Sequence, residues 1–576
     1  MKKGTEIIGT VSRTDYPNKG IIETEDGIVK AACALPGQKV RVFVKKVRHG
    51  VGEGILKEVI EHSPVETVDH CPHAGRCGGC LYQTYPYEEE LKIKDGQVRR
   101  LIEPVLAGQD PEYIYEEIIP CTVSEGYRNK MEFTFGDEYK GGPLALGMHR
   151  RGSMYDIETV TSCRIVDPDY CRIIETAIMY FAGRNIPYYH RVTHEGYLRH
   201  LLVRRTRSGE ILVGLVTTGT DGKVHIQDRG EASDTGVNMD VDENELITGF
   251  TDAILGLKNE STVSGSIQGI IHIINDSVAD AVKADRVDVL YGQDFITEEL
   301  MGLKFKITPF SFFQTNTYGA ELLYSKVREY AGIALNKDDT VIYDLYSGTG
   351  TIAQIMAKEH SGRVTGVEIV EEAVEAARVN ADGNGLDNCT FIAGDVLKVL
   401  DDLTEKPDLI ILDPPREGIH PKALPKIISY GVDNIIYVSC KTTSLARDLE
   451  VFLQAGYVVK RICPVDQFPR TGNVETVCLL SKGDAKSQKL RVEFSLEDMD
   501  TDGFKQGATY NAIRDWIKAK YGYRVTNLNI AQVKQKHGII ERENYNKPKS
   551  PDSKQPVCSE EKVKAIEDAM RHFQMI

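Results

Sequence analysis

A thiol and a carboxylate stand out first. Tyr437-Val-Ser-Cys440-Lys-Thr-Thr443 puts Cys440 at the end of an apolar run, and Phe468-Pro-Arg-Thr-Gly-Asn-Val-Glu475 sets Glu475 just before the last apolar run, TVCLL. A cysteine at a strand end can act as a covalent nucleophile, and a carboxylate can act as a base. A free thiol has a pKa of about 8.5 and is only slightly ionised at neutral pH, so a basic neighbour or a desolvated site has to help, with Lys441 a candidate if it points inward. Each residue also has a plainer reading. Cysteines on apolar strands mostly fill cores, as expected of Cys389, Cys463 and Cys478, and a glutamate at a strand end is mostly a solvated charge.

A second set surrounds a glycine turn. In Asp344-Leu-Tyr346-Ser-Gly348-Thr-Gly-Thr351 the glycines fall between a buried strand and a helix, where a missing side chain lets a ligand approach closely. Glu368 ends the next strand, the position from which an acid bonds ribose hydroxyls. The third glycine of the dinucleotide fingerprint is absent, so the turn suits adenosylmethionine better than NAD. Asp395, in Ala393-Gly-Asp-Val396, ends a third strand and either reaches an adenine edge or simply closes a turn. Asp413-Pro-Pro-Arg416 ends a fourth, where two prolines stiffen the loop. Methyltransferases of exocyclic nitrogens tend to carry an aromatic residue where Arg416 stands, which disfavours that chemistry.

These groups meet only if the strands carrying them lie side by side. From Thr308 to Gly483 the runs TVIYDL, RVTGVEIV, CTFIAGDV, DLIILDPP and NIIYVSC alternate with helix-length segments. That is the pattern of a doubly wound parallel sheet, and it assigns an α/β domain to residues 306–483. Ahead of it, short β-type runs from Thr5 to His62 are broken by Gly and Pro-Gly turns about every ten residues, the spacing of a small β-barrel over residues 1–62. Residues 63–305 mix strands such as KMEFTFG and LRHLLVRR with polar loops, which reads as an α+β domain. Residues 484–576 form a small fourth module, helical or α+β, with a helical signal in RDWIKAKYG and a basic stretch from Val533 to Lys549.

Composition narrows the setting. A chain of 576 residues that is 41% hydrophobic buries several cores. Its start, MKKGTEIIGT, lacks the apolar run of a secretion signal, and nowhere do about 18 uncharged apolar residues follow one another, so no membrane association is expected. Twelve cysteines are too dilute for a disulfide scaffold, which favours a reducing compartment and so the cytoplasm, and a monomer is expected. A net charge of -15 means that any nucleic-acid contact is local. The first sixty residues, with Lys2, Lys3, Lys45, Lys46, Arg48 and Lys57, are the basic candidate.

One cysteine group has ligand spacing: Cys71-x5-Cys77-x2-Cys80, with Cys163 far downstream. Four thiolates suit tetrahedral zinc or a four-iron cluster, and three close ligands plus one distant one favour iron and sulfur over the two tight pairs usual for zinc.

The stretches SFFQT at Ser311 to Thr315, DLYSGTG, LDPPREG, YVSC with Arg447-Asp448 downstream, and FPRTGNVE occur in this order. Together they resemble the RNA uracil-5 methyltransferase family, from the N-terminus to about Lys482, with the barrel similar to a TRAM RNA-binding domain. The resemblance implies that Gln314, Tyr346, Glu368 and Asp413 bind adenosylmethionine, with Gly348, Thr351 and Asp395 nearby. It implies Cys440 as nucleophile, Glu475 as base, and a [4Fe-4S] cluster on Cys71, Cys77, Cys80 and Cys163. The implied substrate is structured RNA, 23S ribosomal RNA with transfer RNA as the alternative. Tyr127 to Lys130 and Leu198 to Arg205 match the family's RNA-facing segments, or else are solvated strand ends. Two positions depart from the family: Lys441-Thr442 follows the cysteine in place of Asn-Pro, and Asn473 replaces a histidine.

The chemistry explains the pair. C5 of uracil is a poor nucleophile until a thiolate adds at C6 and makes it enolate-like. After methyl transfer the C5 proton must leave, which requires a base. The competing reading, a non-catalytic iron-sulfur RNA-binding protein, needs neither Cys440 nor Glu475.

Overall fold

The strands Ile342–Leu345 and Leu409–Leu412 bury every residue, as strands do when helices cover both faces of a sheet. In the computed structural model they pair in parallel, Leu345 against Leu412, at the centre of an eight-stranded sheet. The structure describes residues 1–226, 239–259, 262–278, 284–335, 339–403 and 405–483, and in the tail 510–521, 523, 525–537 and 559–572. It divides into two units, residues 1–490 and 491–576.

The large sheet runs Cys389–Ala393, Val364–Glu368, Ile342–Leu345, Leu409–Leu412, Asn434–Ser439, Glu475–Lys482, Tyr457–Val465 and Ile114–Tyr115. The first five are parallel, and Glu475–Lys482 is antiparallel to both its neighbours. Chain order reverses between Ile342–Leu345 and Leu409–Leu412, so a ligand crevice opens at their carboxyl ends. Helices Thr317–Ala334, Thr351–Glu359 and Glu371–Gly383 cover one face through Leu323, Val327, Ile355 and Val374. Helices Tyr87–Leu106, Ala423–Ser429 and Thr442–Gln454 cover the other through Ile102, Ile427 and Leu449. Gly350 starts Thr351–Glu359 at φ +74°, and a Cβ there would fall 2.4 Å from the Phe391 ring, so the turn needs glycine.

Two features depart from the sequence reading. Helix Tyr87–Leu106 and strand Ile114–Tyr115, expected in the α+β domain, belong to the large sheet: the helix buries Val98, Ile102 and Val105 against it, and the strand pairs with Arg461 and Ile462. Strand Leu198–Arg205 is neither RNA-facing nor solvated. It lies inside a seven-stranded sheet, with Leu201 and Val203 packed into one core and Leu202 into the other. Arg204 is buried there and donates to the Pro309 carbonyl at 3.2 and 3.1 Å and to the Ser311 carbonyl at 2.5 Å.

That sheet is antiparallel except where Glu210–Thr217 meets Ser266–Ile274, and helices Pro168–Ala182 and Glu243–Asn259 pack on it. The N-terminal strands Glu6–Asp15, Lys19–Thr24, Gly27–Ala32, Lys39–Arg48 and Val51–Glu61 close into a barrel around Val11, Ile22, Val29, Val40 and Val42. In the second unit, helices Tyr510–Tyr521, Asn527–Lys536 and Glu560–His572 share a core of Ile513, Ile517, Ile530, Val533, Ile566 and Met570. The expected basic stretch lies outside the described residues from 538 onward. No helix among the described residues is long and apolar enough to cross a membrane.

Candidate active site

Strand register sets the central pair. Ser439 pairs with Thr476, so the next residue of one strand, Cys440, stands across from the preceding residue of the other, Glu475. Cys440 is half-buried, and its thiol is pushed up to about 12, first by burial and then by the carboxylates of Glu475 and Asp413. Arg416 opposes this with its nearby positive charge. Glu475 is only 5% exposed, which removes its reading as a solvated charge. Burial, then Asp413, pushes its carboxyl up to about 8, again against Arg416. Asp413 itself is pushed up to about 7 by burial. The cation acting on the sulfur is Arg416, whose guanidinium donates to Asn473 Oδ1 at 3.0 Å, while Lys441 occupies the N-cap position of helix Thr442–Gln454 without a side-chain capping bond.

The crevice beside this pair gathers acceptors. Glu368 receives N–H bonds from Gly348 and Val370, both at 3.0 Å. Asp344 is fully buried; its Oδ2 accepts from the Ala353 N–H at 3.0 Å, while its Oδ1 is buried without a hydrogen-bond partner. Burial, Asp413 and Glu368 together hold the Asp344 carboxyl well above the usual range. Tyr346 follows the strand at φ +69°, and Thr351 opens the next helix. Gln314 accepts from Gln467 at 2.7 Å and lies against the hydroxyl of Tyr324, a buried residue that also faces Asp413, Asp344 and Glu475. Asp395 caps helix Val396–Asp402 through the Leu397 N–H at 3.0 Å and sits near Tyr346. Clustered carboxylates raise one another, so a ligand bringing positive charge and a ribose diol is favoured. Adenosylmethionine has both, and the orphaned Asp344 oxygen fits such a ligand.

The loop ahead of Glu475 hangs on a buried ion pair. Lys94 Nζ meets Glu90 and Asp466, each at 2.7 Å, with all three side chains buried. It also donates to the Phe468 carbonyl at 3.2 Å, and Glu90 accepts from the Arg470 N–H at 2.7 Å. Asn129 donates to the Gln314 carbonyl at 3.0 Å, tying the α+β domain to the crevice. Sequence reasoning missed Tyr324 and Lys94, and it took Asn129 only as part of a possible RNA-facing segment, because nothing local marks a residue that works through a partner distant in the chain.

The four cysteines form a separate group. Burial, then Cys77 and Cys71, pushes Cys80 up to about 12, and burial, then Cys80 and Cys71, raises Cys163. The Gly79 N–H points at Cys77 Sγ at 3.4 Å and Gln83 Nε2 at Cys80 Sγ at 3.5 Å, and N–H groups of that kind favour thiolates. The donor chemistry fits an iron-sulfur cluster, although among the described residues no three ligand-type side chains are set to hold a metal ion. The N–H groups of Leu81 and Tyr82 bond the Arg470 carbonyl at 2.8 and 3.0 Å, linking this loop to the one ahead of Glu475.

Residues 336–470 match the model of a family described as a methyltransferase domain. An uncharacterized RNA methyltransferase of Caldanaerobacter subterraneus subsp. tengcongensis is 44% identical over 483 residues, covering 84% of this chain and 100% of the relative. One from Clostridium tetani is 43% identical over 488 residues, covering 84% of this chain and 99% of its own length. The fold is that of the Pyrococcus abyssi tRNA (uracil-54, C5)-methyltransferase solved with S-adenosyl-L-homocysteine, at a TM-score of 0.60 and 24% identity over 82% of this chain and 100% of that one. With a doubly wound sheet, an acidic crevice at its switch point and similarity to such relatives over 84% of its length, this chain belongs to the RNA methyltransferase family.

Proposed function

We propose that this RNA methyltransferase modifies C5 of a uridine through a transient bond from Cys440 Sγ to C6 of the base. The observation that carries the reading is the pairing of a half-buried thiol with a buried carboxyl across one strand register. The positive charge of Arg416 near the sulfur favours its ionised form. The thiolate adds to C6, the C6–S bond forms, and electrons move to C5 and the adjacent carbonyl. Adenosylmethionine, held through Gln314, Tyr346, Glu368 and Asp413 beside Gly348, Thr351 and Asp395, supplies an electrophilic methyl group. Glu475, with a pKa near the working pH, then takes the C5 proton, and the C6–S bond breaks as the ring double bond returns.

Cys71, Cys77, Cys80 and Cys163 are proposed to hold a [4Fe-4S] cluster. Its role is structural, because Leu81 and Tyr82 anchor the loop that leads to Glu475. Anaerobically purified protein should be brown with about four irons per chain, whereas colourless protein with one zinc contradicts the assignment. The setting proposed is the cytoplasm, with the enzyme acting as a monomer.

The substrate proposed is 23S ribosomal RNA. A groove of about 690 Å³ on the barrel, lined by Lys3, Lys45, Lys46 and Phe43, supports local capture of structured RNA. Transfer RNA is the second reading, favoured by the fold shared with an enzyme that acts on it. Mapping 5-methyluridine in both RNAs from a strain lacking the gene decides. Loss of one ribosomal site supports the proposal, loss from transfer RNA moves the substrate, and no loss from either contradicts uridine C5 methylation.

A further inference from the structure

The barrel does more than sit beside the large sheet. Its first two strands are joined by the turn Tyr16-Pro17-Asn18, with Asn18 at φ +61°. Asn18 Nδ2 donates to the Gly472 carbonyl at 3.0 Å, and Asn18 Oδ1 accepts from the Tyr82 hydroxyl at 2.8 Å and from Gln97 at 3.3 Å. A Cβ at Gly472 would fall 2.1 Å from the Asn18 amide nitrogen, so the close approach depends on glycine there. At the base of the hairpin Arg100 donates to the Thr14 carbonyl at 2.8 Å and pairs with Asp15 at 3.0 Å. The turn is thus pinned to the loop that ends in Glu475.

This pinning carries Tyr16 into the candidate site. The charges of Arg416, Cys440 and Glu475 act on its phenol, and Thr443 lies beside it. The ring is half-buried, yet it belongs neither to the barrel core nor to the cores on either face of the large sheet. An aromatic ring held by polar anchors among a thiol, a carboxyl and a guanidinium is not there as packing. Burial pushes its phenol up to about 12, so it remains an O–H donor at any working pH.

We propose that Tyr16 contacts the target pyrimidine at Cys440, its ring against the base and its O–H donating to a carbonyl oxygen of that base. A nucleobase must leave its stack to reach a half-buried thiol, and enzymes that act on such bases hold them by aromatic contact and hydrogen bonds. The barrel then completes the active site as well as binding RNA. The inference rests on the uridine C5 reading above.

The test uses the full-length enzyme, RNA from a strain lacking the gene, and labelled adenosylmethionine. Tyr16→Ala should lower kcat by about 30-fold or more, while the Kd for RNA in filter binding stays within about twofold, because the ring acts on the reacting base. Tyr16→Phe keeps the ring and the fold, and should lose about tenfold in kcat for one missing hydrogen bond, at unchanged melting temperature. Wild-type kcat in Tyr16→Phe and Tyr16→Ala, or a loss confined to KM and RNA affinity, would overturn the assignment and leave Tyr16 as part of an RNA tether. If the wild-type enzyme places no methyl group on uridine C5, the proposed function falls and takes this inference with it. Active wild type with unaffected variants removes Tyr16 alone.

Discussion

Glu475 stands across from Cys440 one position beyond the Ser439–Thr476 pair, and its carboxylate holds the thiol up. The carboxyl, at about 8, ionises well before the thiol, at about 12, so charging the first makes the second harder to ionise. The sign of each neighbour's effect follows. In the enzyme without RNA, Cys440 should alkylate slowly with iodoacetamide, its rate still rising above the pH where an ordinary thiol has levelled off. Glu475→Gln and Asp413→Asn each remove a raising charge and should shift that profile down, whereas Arg416→Ala should shift it up. An unchanged profile in all three variants would mean that these side chains do not face the sulfur.

The same burial makes Glu475 a liability for stability. Its folded pKa lies above the ordinary 4.5, at about 8, so the folded protein keeps a proton that the unfolded chain releases in that window. Stability is therefore lost as pH rises from 4.5 to about 8, on the order of 1 kcal/mol for each pH step of one across the window. Glu475→Gln should melt higher than wild type at pH 9 and match it at pH 4. Equal melting at both values would indicate a carboxyl in contact with water.

Lys94 is the linchpin of the loop from Phe468 to Glu475, through Glu90, Asp466 and the Phe468 carbonyl. Lys94→Met removes the cation shared by two buried acids and leaves Glu90 only Arg470, at 3.7 Å, and breaking such a network costs about 3–5 kcal/mol. The variant should melt well below wild type, and methylation should fall even at temperatures where it remains folded. A variant with wild-type melting and turnover contradicts the role given to the network.

How much of this was legible in the sequence depends on distance along the chain. The strand ends at Glu368, Asp413 and Cys440 were readable, because a buried strand leading into a glycine or proline turn has a local signature. Glu475 was visible as a residue but not as a buried one, since its burial comes from the antiparallel insertion of Glu475–Lys482 between two other strands. Tyr16, Asn18 and Lys94 carried no local signal, because their partners Gly472 and Asp466 lie at the other end of the unit. Leu198–Arg205 misled for the opposite reason. Its three arginines look solvated in a strand, but Arg204 finds its partners in backbone carbonyls at Pro309 and Ser311.

Glu368 already accepts two backbone N–H bonds, so its carboxylate is fixed before any ligand arrives. Glu368→Ala should weaken adenosylhomocysteine binding by tenfold or more, about 1.4 kcal/mol, if that carboxylate holds ribose hydroxyls. Calorimetry with unchanged affinity would reduce Glu368 to a support for the glycine turn.

Separate roles for Cys440 and Glu475 give the most direct test of the account. Labelled RNA and adenosylmethionine are incubated with each variant and run on a denaturing gel. In Cys440→Ala no C6–S bond can form, so RNA still binds but no slow-migrating band appears. In Glu475→Gln addition and methyl transfer proceed, the C5 proton has no acceptor, and the enzyme stays bonded to methylated RNA as a distinct band. A band for Glu475→Gln and none for Cys440→Ala is the predicted result; no band from either variant, with full turnover by Glu475→Gln, contradicts it.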